Sequence, residues 1–102
     1  MSGKRAVSLI LGASAPALRI DKLLWYLRFA HTRTMAQKMS AKGHVRLNGR
    51  RVDRAHLMVR ENDILTIPRG REVHVIRVFR LPERRESAAG AQTCYEELKT
   101  GD

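Results

Sequence analysis

Histidine and cysteine, the side chains that most often bind metals or act as nucleophiles, are few in this sequence and poorly spaced for either role. Four histidines and one cysteine occur in 102 residues, and they are His31, His44, His56, His74 and Cys94. No H-x-x-x-H or C-x-x-C spacing occurs among them. No nucleophile stands in a recognisable arrangement with a base, and no glycine-rich phosphate loop is present. We therefore predict no catalytic residue, no bound metal and no cofactor.

Arginine and lysine supply most of the chemically active groups. Twenty Lys and Arg against ten Asp and Glu give a net charge of +10. Residues 19–54 hold ten of these basic residues and only two acidic ones, Asp21 and Asp53. Clustering of this kind predicts a polyphosphate partner, because each phosphate contact releases counterions; a solvated basic face is the simpler alternative. The predicted contact residues are Arg19, Lys22, Arg28, Arg33, Lys38, Lys42, Arg46, Asn48, Arg50 and Arg51.

Two helices are predicted to carry the first half of these residues. Apolar residues at positions 20, 23, 24 and 27 form one stripe of a helix that closes at residues 29–31. Thr32 suits the N-cap of a second helix, and Gly43 suits its left-handed stop. Lys38 and Lys42 share one face of that helix, where their repulsion would be relieved by a bound phosphate.

A β-hairpin is predicted next, because the hydrophobic period changes from a helical one to two. Residues 44–47 and 50–52 alternate on either side of Asn48-Gly49, a pair that favours a type I′ turn. Val45 and Leu47 are expected to point inward, and Arg46 outward beside Arg50 or Arg51.

Two further strands and a last helix are predicted beyond the hairpin. A strand over 64–67 is expected to end at Pro68, and a longer strand over 72–81 to bulge where its apolar phase shifts between Val75 and Ile76. Residues 88–98 carry apolar residues at helical spacing and are predicted to form a terminal helix. The aromatic residues of the first helix, Trp25, Tyr26 and Phe29, are expected to pack against that helix, with base stacking as the alternative.

Residues 1–18 are predicted to be a disordered leader. Lys4-Arg5, a short apolar run and Ala13-Ser14-Ala15 imitate a secretion signal, but the run is at the short limit and Pro16 would follow the cleavage site. No stretch approaches the length of a membrane span. A lone cysteine fits a reducing compartment, so we expect a cytoplasmic protein.

Three segments together resemble a known RNA-binding motif. The segments are Arg19–Leu24, Thr32–Ala36 and Gly43–Gly49, and they resemble the alpha-L RNA-binding motif of the ribosomal protein S-four type domain. Residues 83–98 extend the likeness to the heat-shock protein fifteen family, which consists of stand-alone bacterial members of this motif class. His31 and Cys94 depart from residues common in that family.

The resemblance implies a non-catalytic protein that binds the large ribosomal subunit when a stalled nascent chain on tRNA remains there. Contacts with ribosomal RNA and tRNA follow, and residues Arg19, Lys22, Arg28, Arg33, Arg46 and Asn48 occupy motif positions. Two alternatives stay open: an RNA-binding accessory module for a separate RNA-modifying enzyme, and a general polyanion or DNA binder. Nothing in the sequence demands a dimer, so we expect a monomer.

The expected fold is α+β, with two N-terminal helices packed on a small, mostly antiparallel sheet and a C-terminal helix. The RNA-binding domain is expected over 19–81, followed by a C-terminal link and helix over 82–102.

Overall fold

The computed structural model describes residues 15–100, in which three helices and seven strands follow one another. The helices are α1 (Ile20–Tyr26), α2 (Arg33–Ala41) and α3 (Ala88–Gln92). The strands are β1 (Ala17–Arg19), β2 (Arg46–Leu47), β3 (Arg50–Arg51), β4 (Met58–Arg60), β5 (Ile64–Arg69), β6 (Glu72–Val78) and β7 (Tyr95–Thr100).

The strands form two antiparallel sheets. A five-stranded sheet has the order β3-β2-β5-β6-β7, and a two-stranded sheet pairs β1 with β4. The apolar stripe of α1 is buried together with the inward side chains of β5 and β6, such as Leu65, Ile67 and Ile76. The predicted α+β class with a mostly antiparallel sheet is confirmed.

Local backbone and capping features determine where α1 ends and where α2 begins and ends. Helix α1 is shorter than expected, because Arg28 adopts φ +68° and the amide of Phe29 bonds back to the carbonyl of Leu24 at 2.9 Å. Helix α2 has the predicted N-cap, since the hydroxyl of Thr32 accepts from the amide of Met35 at 3.0 Å. Gly43 follows α2 with φ +78°, the left-handed stop predicted for it.

The hairpin has the predicted turn. Asn48 and Gly49 both have positive φ, 51° and 83°, as a type I′ turn requires. Val45 is fully buried and Leu47 packs partly against the core. Arg46 lies directly opposite Arg51 across the ladder.

The long hairpin of β5 and β6 differs from the prediction at two points, where β5 ends and where β6 ends, since β6 stops at Val78 and not at residue 81. The irregularity between Val75 and Ile76 is present, as a register shift against β7. Pro68 does not end β5, which continues to Arg69. Strand β2 pairs only with Leu65 and Thr66, so Pro68 has a neighbouring strand on one side alone, where the missing amide hydrogen costs least.

The predicted terminal helix over 88–98 is wrong beyond Gln92. Helix α3 stops there, and β7 pairs with β6 along its length. The apolar spacing that suggested a helix is overridden because β7 supplies hydrogen-bond partners to the open edge of β6. Cys94 is fully buried between α3 and β7.

The aromatic residues at and just after the end of α1 therefore do not pack against the terminal helix predicted over 88–98. The ring of Phe29, 8% exposed, lies 5.3 Å from that of Tyr95 on β7 and 6.0 Å from that of His74 on β6. Trp25 and Tyr26 are half-buried, with ring centroids 5.7 Å apart.

The predicted leader falls mostly outside the described residues, since residues 1–14 are not among them. Its last two residues, Ala17 and Leu18, belong to β1 and pair with Arg60 and Val59. Strands β1 and β4 were not predicted. Within 15–100, no helix is long and apolar enough to cross a membrane.

Candidate nucleic-acid interface

Two of the predicted contact residues meet at one buried carboxylate. Asp21 is fully buried in the first turn of α1. Arg19 donates to it twice, from Nε to Oδ1 at 3.1 Å and from Nη2 to Oδ2 at 2.9 Å. The Nε of Arg33, the first residue of α2, lies 3.9 Å from the same Oδ2. The start of α1 and the start of α2 are thereby joined by an acid between two arginines.

A second basic cluster lies at the hairpin and the C-terminal end of α2. Arg46 and Arg51 lie opposite each other, and like charges in that arrangement destabilise a hairpin. The Nη2 of Arg51 reaches the carbonyl of Lys42, the C-cap of α2, at 3.5 Å. Arg50, beside this pair, is exposed.

Helix α2 connects the two clusters. It begins at Arg33 and its C-cap is Lys42, with the exposed Lys38 in its last turn. Lys22 on α1 is half-exposed, and its backbone amide donates to Asp21 at 2.7 Å. We name the combined set the basic surface; it consists of Arg19, Lys22, Arg33, Lys38, Lys42, Arg46, Arg50 and Arg51.

The acidic residues of this region do little to offset the positive charge. Asp21 is buried under Arg19, and Asp53, exposed, lies 3.7 Å from Arg54. The basic surface therefore keeps a strong excess of donors and positive charge toward solvent. Such a surface can bind phosphate oxygens through forked arginines and mobile lysines.

Asn48, the predicted contact at the hairpin tip, has its side chain engaged within the protein. Its Nδ2 donates to Asp63 Oδ1 at 3.1 Å, and its Oδ1 accepts from the amide of Ile64 at 2.8 Å. The structure thus gives Asn48 a role in holding the hairpin against β5.

Arg28 lies at the other end of α1 from Arg19. Its Nη1 donates to the carbonyl of Glu86 at 3.1 Å, and Glu86 donates its amide to the carbonyl of Tyr26 at 3.0 Å. The Nε of Arg85 donates to the carbonyl of Trp25 at 3.1 Å. Arg28 is therefore placed against the C-terminal segment, which caps α1, and is described apart from the basic surface.

The sequence reasoning missed the two buried acids, Asp21 and Asp63. For Asp21, the Arg19-Ile20-Asp21 spacing is a signal that favours a side-chain pair. Asp63 is only 6% exposed. Within residues 15–100 no group of three or more metal-binding side chains comes together.

Comparisons with known proteins agree with this architecture. Residues 18–65 match the S4 domain family. Heat shock protein 15 of Escherichia coli K12 is 36% identical over 83 residues, which are 81% of this chain and 62% of that protein. The small ribosomal subunit protein uS4 of Protochlamydia amoebophila is 34% identical over 59 residues, 57% of this chain and 29% of that protein. The trimeric structure of Vibrio cholerae heat shock protein 15 superimposes with a TM-score of 0.76 at 31% identity, covering 81% of this chain and 83% of that one.

The two N-terminal helices, the hairpin and the sheet behind them define a protein of the S4-domain class. The likeness to heat shock protein 15 covers 81% of this chain, which is more than the S4 domain over residues 18–65 accounts for. The chain belongs to the heat shock protein 15 family. It spans about three fifths of the length of the heat shock protein 15 relatives that it matches.

Proposed function

We propose that this protein is a non-catalytic binder of structured RNA and that the basic surface is its RNA interface. The observation that carries the proposal is the joining of two arginine clusters by helix α2, with the nearby acids buried or paired. Phosphate contacts fix a protein on RNA without reading sequence, and A-form RNA is recognised mostly by shape and backbone.

The RNA that we propose is that of the large ribosomal subunit, together with tRNA of a stalled nascent chain. Membership of the heat shock protein 15 family supports this proposal, and the likeness to the small-subunit protein uS4 supports only an association with the ribosome in general. Binding of this kind takes place in the cytoplasm and serves rescue or recycling of the stalled subunit.

Co-sedimentation with separated ribosomal subunits, with and without peptidyl-tRNA and across a salt series, tests the proposal. We expect binding to the large subunit that tightens with peptidyl-tRNA and weakens steeply with salt. Equal, weak binding to both subunits and to duplex DNA would instead indicate a general polyanion binder. Capture of an RNA-modifying enzyme without ribosomes would favour an accessory module.

A charge-reversal pair tests the assignment of the surface. Arg33→Glu with Arg46→Glu changes one residue in each cluster, and we expect at least a tenfold loss of RNA affinity. Arg71→Glu with Arg84→Glu is the matched control, because both residues are exposed outside the basic surface and the charge change is the same. Equal losses in the two pairs, with both proteins folded, would reject the interface.

The oligomeric state is a separate part of the proposal. The sequence predicts a monomer, whereas the similar Vibrio cholerae structure is a trimer. Light scattering after size exclusion, with and without RNA, distinguishes the two: a mass near 11.6 kDa supports the monomer, and three times that mass rejects it.

A further inference from the structure

The carboxylate of Asp21 accepts more hydrogen bonds than are needed to stabilise the N-terminus of α1. A buried carboxylate is costly unless its oxygens are hydrogen-bonded. Oδ1 accepts from the amide of Lys22 at 2.7 Å and from Arg19 Nε, and Oδ2 accepts from Arg19 Nη2 and from Gln37 Nε2 at 3.4 Å. Residues of both helices thus converge on one acid.

Each of the two arginines turns its Nε toward this acid and keeps at least one terminal nitrogen free of hydrogen bonds within the described residues. Arg19 uses Nε and Nη2, and its side chain is still 40% exposed. Arg33 turns its Nε toward Asp21, where that atom is buried without a hydrogen bond, and its side chain is 38% exposed. Within residues 15–100, no hydrogen bond engages Nη1 of Arg19 or either Nη of Arg33.

We propose that Asp21 is a positioning residue that holds Arg19 and Arg33 together as one binding subsite for an RNA backbone phosphate. Two guanidinium groups around one carboxylate carry a net charge of +1, which a single phosphate diester neutralises. Their free nitrogens are held in place before the ligand arrives, so less side-chain freedom is lost on binding. The inference rests on the proposed RNA function and adds to it a defined subsite and its ligand.

A purely structural role for Asp21 makes a different prediction. If the acid only joined α1 to α2, its replacement would lower stability and leave the affinity of the folded protein unchanged or improved. Removal of a negative charge from a basic surface should by itself tighten RNA binding. If Asp21 positions the two arginines, its replacement should instead weaken RNA binding. The direction of the change in affinity therefore distinguishes the two roles.

The first test is Asp21→Asn, measured as the Kd for one structured ribosomal RNA fragment at fixed salt, with folding checked by circular dichroism. We expect affinity to fall about fivefold, since Arg19 and Arg33 lose the charge that orders them. Asp53→Asn is the matched control: it removes the same charge from an exposed acid of the same region and should leave affinity unchanged or slightly higher. Equal or tighter binding by Asp21→Asn overturns the inference.

A double-mutant cycle measures whether the affinity loss caused by Asp21→Asn depends on Arg19 and Arg33, which a purely structural role would not require. In an Arg19→Gln, Arg33→Gln background, Asp21→Asn should cost no further affinity, and an undiminished loss there overturns the inference. If Asp21→Asn does not fold, Arg19→Lys provides the test, because it keeps the charge but loses the fork. Arg19→Lys should bind several-fold more weakly, whereas Arg84→Lys, the same exchange at an exposed arginine outside the basic surface, should bind as well as wild type. Unchanged binding by Arg19→Lys rejects the subsite.

The failure of this inference is distinguishable from failure of the proposed function. Wild-type protein that does not bind RNA, or binds it equally after Arg33→Glu with Arg46→Glu, rejects the function. Wild-type binding that is lost in that pair but intact in Asp21→Asn rejects only the positioning role.

Discussion

Asn48 at the tip of the hairpin and Asp63 at the start of β5 are joined side chain to side chain, with Nδ2 of Asn48 3.1 Å from Oδ1 of Asp63. The second oxygen of Asp63 accepts from the amide of Arg60 at 2.8 Å. The amide of Asn48 donates in turn to the carbonyl of Ile64 at 2.7 Å. A short hairpin that is weak by itself is thereby fixed to the central sheet.

Replacement of Asn48 by glycine should therefore lower stability. Glycine tolerates the positive φ of this position but removes both side-chain hydrogen bonds, so the free energy of unfolding should fall by about 1–3 kcal/mol. Urea unfolding measures the change. Arg50→Gln is the control on the same hairpin and should alter stability by less than about 0.5 kcal/mol while weakening RNA binding. Wild-type stability with lost affinity in Asn48→Gly would support the predicted direct contact of Asn48 with RNA.

The first half of the fold was predictable because its signals are local. Thr32, Gly43 and the Asn48-Gly49 pair each set the backbone through their own side chain or their own φ, whatever surrounds them. Strands β1 and β4 were missed because three residues are too few to show a period of two.

The C-terminal strand could not be predicted on local grounds. Residues 95–98 carry an apolar spacing compatible with a helix, and only the open edge of β6 makes a strand the better state. In the candidate site, too, some features follow from the local sequence and others depend on tertiary packing. Charge and spacing predict which residues are basic, whereas the burial of Asp21 between Arg19 and Arg33 depends on how α1 packs on α2.

Gly43 and Gly49 allow stability and binding to be separated. Both have positive φ, so alanine at either should cost about 1–2 kcal/mol in the free energy of unfolding. A Cβ on Gly43 would also collide with the guanidinium of Arg51, whereas one on Gly49 would meet nothing within 4 Å. Gly43→Ala should therefore weaken RNA binding by displacing Arg51, and Gly49→Ala should not. Equal affinities of the two variants, measured on folded protein, would show that the position of Arg51 is unimportant.

Arg28 combines a strained backbone with an exposed cation. Its φ of +68° is costly for any residue with a Cβ, and its guanidinium bonds to Glu86. Arg28→Ala and Arg28→Gly remove the same side-chain groups, but only glycine relieves the backbone. We expect the glycine variant to be more stable than the alanine variant by about 1–2 kcal/mol in urea unfolding.

The same pair of variants tests the RNA contact predicted for Arg28. Both should bind the RNA fragment with the same reduced affinity, because they lack the same charge. Wild-type affinity in both would remove Arg28 from the predicted contacts, and a difference between them would indicate that the backbone at the end of α1 moves on binding.

The buried thiol of Cys94 and the half-buried hydroxyl of Tyr95 predict a loss of stability at high pH. Burial raises the pKa of the Cys94 thiol above its usual 9.0, an effect that Arg80 partly opposes, and burial together with the charge of Glu97 raises the pKa of the Tyr95 hydroxyl above 10.0. The unfolded chain therefore loses these protons first, so folding is favoured fully below about pH 9 and progressively less above it.

The expected result is a free energy of unfolding that declines as pH rises from 9 toward 11, measured by urea titration at fixed ionic strength. The informative quantity is the difference between each variant and wild type. Cys94→Ala should flatten the earlier part of the decline and Tyr95→Phe the later part. A wild-type curve parallel to both variants would mean that neither proton is held more tightly in the folded protein than in the unfolded one.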